Sequence, residues 1–436
     1  MKTNKNNWAK TPPMGWNSWD CFGASVTEEE LMANAEYMRD NLKEFGWEYV
    51  VCDIQWYEPD ANSTEYRNFV PLDMDEYSRL IPAVKRFPSA ADGKGFSVIA
   101  EKMHDMGLKF GIHMMRGIPR QAVHSNTPIF GTDATAREIA QRFSVCSWNT
   151  DMYGVDPNAY GAQAYYDSVF QLYASWGVDF VKVDDICNTY YKPHDLYSAK
   201  GEIELIRRAI DHCGRDIVLS LSPGPADLER IDHLQATANM WRMTADYWDD
   251  WKDLVSMFQK CASWAPYVEE GMWPDCDMLP MGHIGIRGNE HGLSGRYTRF
   301  SKAEQYTMMT LWCMFRSPLM FGGHLPDNDA FTLSLLTNKE VLRMLNHASG
   351  AYEVTRSGNA AENIVWKSYD EDGRIYVAIF NTHTIGKKIE VLLEQLELEG
   401  TYEIRDVWQQ KDRGTVETAI CTEVESHGVK LFVLSK

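Results

Sequence analysis

The sequence predicts an α/β fold, a (β/α)₈ barrel followed by a small C-terminal antiparallel β-sandwich. Three observations predict it. Eight short apolar runs alternate with longer amphipathic stretches along residues 1–348, the pattern of a parallel sheet wrapped by helices. From residue 349 to 436 the texture changes to strands without intervening helices. The chain of 436 residues also exceeds what one compact core usually supports, which favours a large domain with a smaller companion.

The eight runs are Met14 to Trp19, Tyr49 to Ile54, Lys109 to Met114, Phe180 to Asp184, Ile217 to Ser222, Met240 to Thr244, Asp277 to Met281 and Ser317 to Gly322. A helix is predicted over Glu28 to Phe45, where Leu31, Ala35, Met38 and Leu42 recur at helical spacing behind the cap Thr27. In the tail, Ile364 to Tyr369 and Arg374 to Phe380 flank a turn containing Asp372 and Gly373, which reads as a hairpin. Further strands are expected at Lys388 to Leu393, Tyr402 to Trp408 and Val429 to Leu434.

Composition narrows the partners. A formal net charge of -19 repels phosphate backbones and anionic lipid, so neither nucleic acid nor a membrane is expected, and a neutral substrate fits better. Nine cysteines are too few for a disulfide scaffold, and residues 1–10 lack the apolar stretch of a signal peptide. A cytoplasmic location is the expectation. The 15 Trp and 21 Tyr fit a cleft that packs on the apolar faces of sugar rings, although core filling accounts for most of them.

In such a barrel the reactive groups come from the C-terminal ends of strands. Those ends carry Trp19-Asp20, Asp53 followed by Trp56, Lys182 with Asp184-Asp185, and Arg242 followed by Asp246. Strand alternation puts Lys182 and Asp184 on one face and Val183 and Asp185 on the other. An ammonium beside a carboxylate keeps it ionised, which suits a nucleophile, while a structural ion pair is the plainer alternative. Asp246 could serve as the partner acid. Two carboxylates flanking one cleft are what glycoside hydrolysis requires. A metal-dependent hydrolase would want paired ligands, and His104, His113, His283 and His291 show no such spacing.

Thr11-Pro12-Pro13-Met14-Gly15-Trp16-Asn17-Ser18-Trp19 resembles the opening of glycoside hydrolase family twenty-seven, the α-galactosidases and α-N-acetylgalactosaminidases. The likeness continues through Trp176 to Asp184, through Trp241-Arg242 with Asp246, and through Trp273 to Leu279. It implies a retaining exo-glycosidase with Asp184 as nucleophile and Asp246 as acid/base, their carboxyls about 5 to 5.5 Å apart. It also implies that Trp19, Asp53, Lys182 and Arg242 bind or stack against the sugar, and that no metal or organic cofactor takes part.

Departures from the family pattern bear on substrate. Where α-galactosidases usually carry adjacent acidic residues after the second strand, this chain has Asp53-Ile54-Gln55-Trp56. Ile54 cannot accept a hydrogen bond from a sugar hydroxyl, which points towards β-L-arabinopyranose, a ring with galactose's stereochemistry and no C6 hydroxymethyl. Ser222, small as in the α-N-acetylgalactosaminidases, leaves room for an acetamido group or for water. The segment from Arg116 to Asp156 is long and is expected to fold over the cleft, where Cys146 and Cys187 could meet as a disulfide or as two thiols. The competing reading is a catalytically silent carbohydrate-binding protein on the same fold.

Overall fold

The computed structural model describes residues 4–192, 194–288 and 295–436; His291 lies outside them. Eight parallel strands form one curled sheet: β1 (Met14–Asn17), β2 (Tyr49–Cys52), β3 (Lys109–Met115), β4 (Phe180–Asp184), β5 (Val218–Leu221), β6 (Met240–Arg242), β7 (Trp273–Asp275) and β8 (Leu319–Phe321). Their order is β7-β6-β5-β4-β3-β2-β1-β8. Among the described residues, closure towards β8 comes from one parallel bridge, Leu279 to Phe321, beyond the end of β7.

That bridge corrects the seventh strand. The run Asp277 to Met281 reads as a strand, but the strand is Trp273–Asp275. Asp277 adopts a φ of 84°, a left-handed backbone that cannot continue a strand, so Leu279 meets β8 only after a turn. β4 matches its predicted run, β3 extends one residue further to Met115, and the other barrel strands match with shorter ends. β1 stops at Asn17, and Trp19 opens a short helical turn over Trp19–Phe22.

Alternation within the strands sorts the barrel into layers. Tyr49, Val51, Phe180, Val218, Met240, Trp273 and Met320 form one buried cluster, the apolar floor inside the barrel. The intervening residues Val50, Cys52, Val181, Val183, Leu219, Leu221 and Trp241 pack outward with the helices. The helix Glu28–Asn41 is typical of these. Thr27 and Glu30 form a reciprocal capping box at its start, and it buries Leu31, Ala35 and Met38. Because Phe180 points into the floor, Lys182 and Asp184 must point the same way, higher up.

The helix Lys339–His347 runs directly into β9 (Ala348–Ser357), the first strand of the antiparallel part. It is followed by β10 (Asn363–Asp370), β11 (Ile375–Asn381), β12 (Lys387–Leu392), β13 (Tyr402–Asp406), β14 (Lys411–Val416), β15 (Ala419–Val424) and β16 (Val429–Ser435). Six strands in the order β9-β10-β11-β16-β13-β14 face the pair β12-β15. Alternation again divides the faces. Val365, Val377 and Ile379 meet Ile389, Val391 and Ile420 inside the sandwich, whereas Trp366, Ala378 and Phe380 join the barrel's core. Phe380 stands edge-on to Phe258, with ring centroids 4.9 Å apart. β9, β14 and β15 had no counterpart in the sequence reading; β14, Lys-Asp-Arg-Gly-Thr-Val, is an exposed edge without apolar alternation.

Candidate active site

At the C-terminal end of the barrel strands lies a cavity of about 220 Å³ lined by all eight residues expected from the sequence: Trp19, Asp53, Ile54, Lys182, Asp184, Ser222, Arg242 and Asp246. Strand parity explains most of the convergence. Asp53 follows Tyr49 and Val51, Asp184 follows Phe180 and Lys182, and Arg242 follows Met240, each the polar end of an inward-facing series whose lower members form the floor.

Asp53, Lys182 and Asp184 form the base of the cavity. Lys182 Nζ lies 3.0 Å from Asp53 Oδ2 and 3.6 Å from Asp184 Oδ2. Asp53 also accepts bonds from Asn17 Nδ2 at 2.7 Å and from the Ile54 amide at 2.8 Å. Burial by itself would raise the Asp184 carboxyl. Lys182, together with a hydrogen bond from His113, outweighs burial and holds the group well below the usual carboxylate range. Burial likewise disfavours the Lys182 charge, but Asp53 and Asp184 overcome it and push the ammonium upward. Asp53, His113 and Asp184 offer ligand atoms within 4.8 Å of one another, the spacing a cation would use. Lys182 Nζ stands beside two of these three groups, Asp53 and Asp184.

Asp185 is directed elsewhere. Its carboxylate lies 2.7 Å from Arg116 Nη2, and Arg116 also pairs with Glu202 at 2.9 Å, a buried network behind the strand. Burial pushes the Asp185 carboxyl up to about 6 in spite of the arginine. The two adjacent aspartates thus occupy opposite faces, as alternation requires.

On the other side, Arg242 Nη2 bonds Asp246 Oδ1 at 2.6 Å and Arg242 Nη1 bonds Asp277 Oδ1 at 2.7 Å. Asp246 is 74% exposed at the mouth, whereas the Arg242 side chain is only 6% exposed. Burial is the largest influence on Asp277, pushing it up to about 7 against the pull of Arg242.

Several lining residues escaped the sequence reading. Tyr66, Trp148, Trp248, Tyr247, Pro223, Asp277 and Met278 share the wall, together with Asp20, which the sequence already puts at the end of the first run. Trp19 stacks on Tyr66 with centroids 5.9 Å apart and planes 19° apart, and Tyr66 leans on Trp148 at 5.6 Å. Trp148 comes from the long segment after β3, where Ile118–Pro119, Ala140–Val145 and Met152–Val155 make a three-stranded sheet. Asp151 of that segment accepts bonds from Gln55 at 2.7 Å and Tyr57 at 2.9 Å, tying it to the loop after β2. Trp56, by contrast, is not at the mouth. It is fully buried, bonds the His113 carbonyl at 2.8 Å and packs edge-on against Phe96 and Trp176. Cys146 and Cys187 are both buried thiols.

With this geometry in place, comparison with known proteins assigns the family. A family model described as "Alpha galactosidase A" matches residues 149–347, and one described as "Alpha galactosidase C-terminal beta sandwich domain" matches residues 361–434. A crystal structure of a family twenty-seven β-L-arabinopyranosidase from Geobacillus stearothermophilus is 57% identical, with a TM-score of 0.97 over 100% of this chain and 99% of that one. This chain belongs to glycoside hydrolase family twenty-seven. A variant of the Geobacillus enzyme has been solved in complex with arabinose, at the same 57% identity and a TM-score of 0.97, with all of both chains covered. An α-galactosidase from Cyamopsis tetragonoloba is 25% identical over 435 residues, covering 99% of this chain and 88% of its own. As a member of this family, the chain is a glycoside hydrolase with a TIM-barrel catalytic fold. No helix among the described residues is long and apolar enough to cross a membrane.

Proposed function

We propose that this family member is a retaining exo-β-L-arabinopyranosidase acting on small oligosaccharides or glycosides, with Asp184 as nucleophile and Asp246 as acid/base. One observation carries the reading: an ionised, lysine-paired Asp184 and an arginine-held Asp246 line the same cavity as Ile54. In the first step a lone pair of Asp184 forms a bond to the anomeric carbon, the glycosidic C–O bond breaks, and Asp246 gives its proton to the leaving oxygen. In the second, water attacks the same carbon, the bond to Asp184 breaks with its electron pair returning to the carboxylate, and Asp246 takes the proton from water. Asp53, Lys182 and Arg242 hold ring hydroxyls, and Trp19 packs on the apolar ring face. The nine cysteines, all of them free thiols, support a cytoplasmic setting for this activity.

The substrate choice rests on Ile54, which is 1% exposed and forms part of the cavity wall beside Asp53. A C6 hydroxyl facing it would be desolvated without a partner, whereas the pentose presents only a CH₂ there. The likeness to the Geobacillus arabinopyranosidase supports the same choice. The second reading, hydrolysis of α-D-galactosides or α-N-acetylgalactosaminides, draws on the small Ser222 and on the α-galactosidase relatives. A panel of p-nitrophenyl β-L-arabinopyranoside, α-D-galactoside and α-N-acetylgalactosaminide separates them. We expect kcat/KM to favour the arabinoside over the galactoside by about one to two orders of magnitude, the reach of an apolar pocket. Preference for either hexoside would overturn the assignment.

A further inference from the structure

Above the apolar floor, β3 and β4 run in register with His113 opposite Lys182. His113 is fully buried, and its Nε2 lies 2.9 Å from Asp184 Oδ2. That is the same oxygen that faces Lys182 Nζ at 3.6 Å. An ionised carboxylate only accepts hydrogen bonds, so His113 Nε2 must carry the hydrogen. Its Nδ1 is buried with no hydrogen-bond partner among the described residues.

We propose that His113 is a positioning residue that reserves Asp184 Oδ1 for attack and speeds release of the covalent sugar by holding Oδ2. This deepens the reading above and rests on Asp184 being the nucleophile. Lys182 and His113 converge on Oδ2, and Ser222 is a further hydrogen-bond donor to the same carboxylate, so Oδ1, which neither Lys182 nor His113 faces, is the oxygen turned to the anomeric carbon. Once Oδ1 has bonded that carbon, Oδ2 is the carbonyl oxygen of a neutral ester. When water attacks and the carbon–Oδ1 bond breaks, the electron pair returns to Asp184 and negative charge reappears on both oxygens. A donor on Oδ2 therefore bonds more strongly as the second step proceeds than in the ester that precedes it, which lowers that barrier. In the first step the charge on Oδ2 is being lost, so the same bond gives no acceleration there. Removing it should slow departure of the sugar and spare its arrival.

The variants His113→Phe and His113→Gln test this on p-nitrophenyl β-L-arabinopyranoside. Phe keeps the ring volume without a donor, and Gln restores an N–H at about the position of Nε2. For His113→Phe we expect kcat to fall about ten- to hundredfold, the range for a hydrogen bond to a charged group. Its kcat/KM should stay within about threefold of the wild type, because that ratio reports the first step. A covalent arabinosyl-enzyme should accumulate at steady state and be visible in the intact mass, and Gln should recover most of the lost kcat. An equal fall in kcat and kcat/KM without an accumulating adduct would mean a structural role and overturn the proposal. So would an unchanged kcat, or a Gln variant as slow as Phe. Should Phe fail to fold, the Gln and Asn pair, with donors at different reach, serves the same comparison; equal kcat in both overturns it. Labelling the wild type with a 2-deoxy-2-fluoro arabinosyl inactivator and mapping the peptide isolates the premise. Attachment at Asp184 supports it, and attachment elsewhere removes the nucleophile assignment independently of the His113 kinetics.

Discussion

Arg242 holds Asp246 at 2.6 Å through one guanidinium nitrogen while another nitrogen, 2.7 Å from Asp277, anchors it to the buried wall. A carboxylate that is 74% exposed would otherwise be free to turn into solvent; the pair keeps it aimed across the cavity. In the acid role proposed for Asp246, its replacement should be felt in proportion to how much the leaving group needs a proton. Asp246→Asn is expected to slow alkyl and sugar glycosides by several orders of magnitude, and p-nitrophenyl or dinitrophenyl glycosides far less in kcat/KM. Measuring both substrate classes checks this, and an equal loss would remove Asp246 from the acid role.

Asp184 and Asp185 are neighbours in sequence with opposite surroundings, one in the cavity with Lys182 and one behind the strand with Arg116 and Glu202. Asp184→Asn should abolish turnover while leaving sugar binding measurable by calorimetry. Asp185→Asn should retain turnover and lower the Tm instead, since it leaves a buried guanidinium short of a partner. A dead Asp185→Asn with normal folding would reverse the assignment.

The lysine pairing also makes a statement about stability. Asp184 is held below its ordinary value, so between the folded and unfolded pKa the unfolded chain binds more protons. Its contribution is complete above about pH 4, the unfolded value, and is lost as pH falls towards the folded one. The Tm difference between wild type and Asp184→Asn should therefore move against the wild type on going from pH 6.5 to pH 3.5. Thermal melts at the two pH values decide it; a difference that stays constant would mean that Lys182 does not stabilise the ionised form.

Trp19 and Tyr66 both line the cavity with their rings stacked, so the indole is already braced before a sugar arrives. Trp19→Ala is expected to raise KM about tenfold or more with a smaller effect on kcat, in keeping with the about 1 to 2 kcal/mol of an aromatic contact plus its buried area. Tm measured on the same preparation must fall little. A large Tm loss with kcat and KM both impaired would make Trp19 a core residue.

Much of this site was legible because strand alternation has a period of two. Once Phe180 is placed in the floor, Lys182 and Asp184 follow, and Asp185 is excluded. The residues that escaped are those whose place depends on something other than their own strand. His113 matters through its register with Lys182 on the next strand, and Tyr66 and Trp148 reach the cavity from long connections. The seventh strand was misplaced because the left-handed turn at Asp277 lets an apolar run touch the sheet at Leu279 alone. The sequence puts Trp56 at the mouth with Asp53, yet the chain turns after Ile54 and sends the indole into the aromatic cluster of Phe96 and Trp176.

Ile54 offers the sharpest test of specificity. Its side chain is buried against the cavity and its amide bonds Asp53 Oδ1 at 2.8 Å, so its backbone is fixed and a substitution changes the wall without moving the acid beside it. An apolar wall rejects a hydroxymethyl only through volume and desolvation, which limits discrimination to about a hundredfold. A carboxylate there would accept a bond from the C6 hydroxyl and would be left facing a CH₂ by the pentose, so Ile54→Asp should raise kcat/KM for the galactoside and lower it for the arabinoside. The new charge would lie close to Asp53 in a site with one lysine between two carboxylates already, and the free variant should lose stability for that reason. Galactose should then raise the Tm of Ile54→Asp more than it raises the wild type's, while arabinose does the reverse. Unchanged kcat/KM for both glycosides, in a variant whose Tm confirms folding, would place the determinant of the C6 side elsewhere in the wall and leave the roles of Asp184 and Asp246 to stand on their own tests.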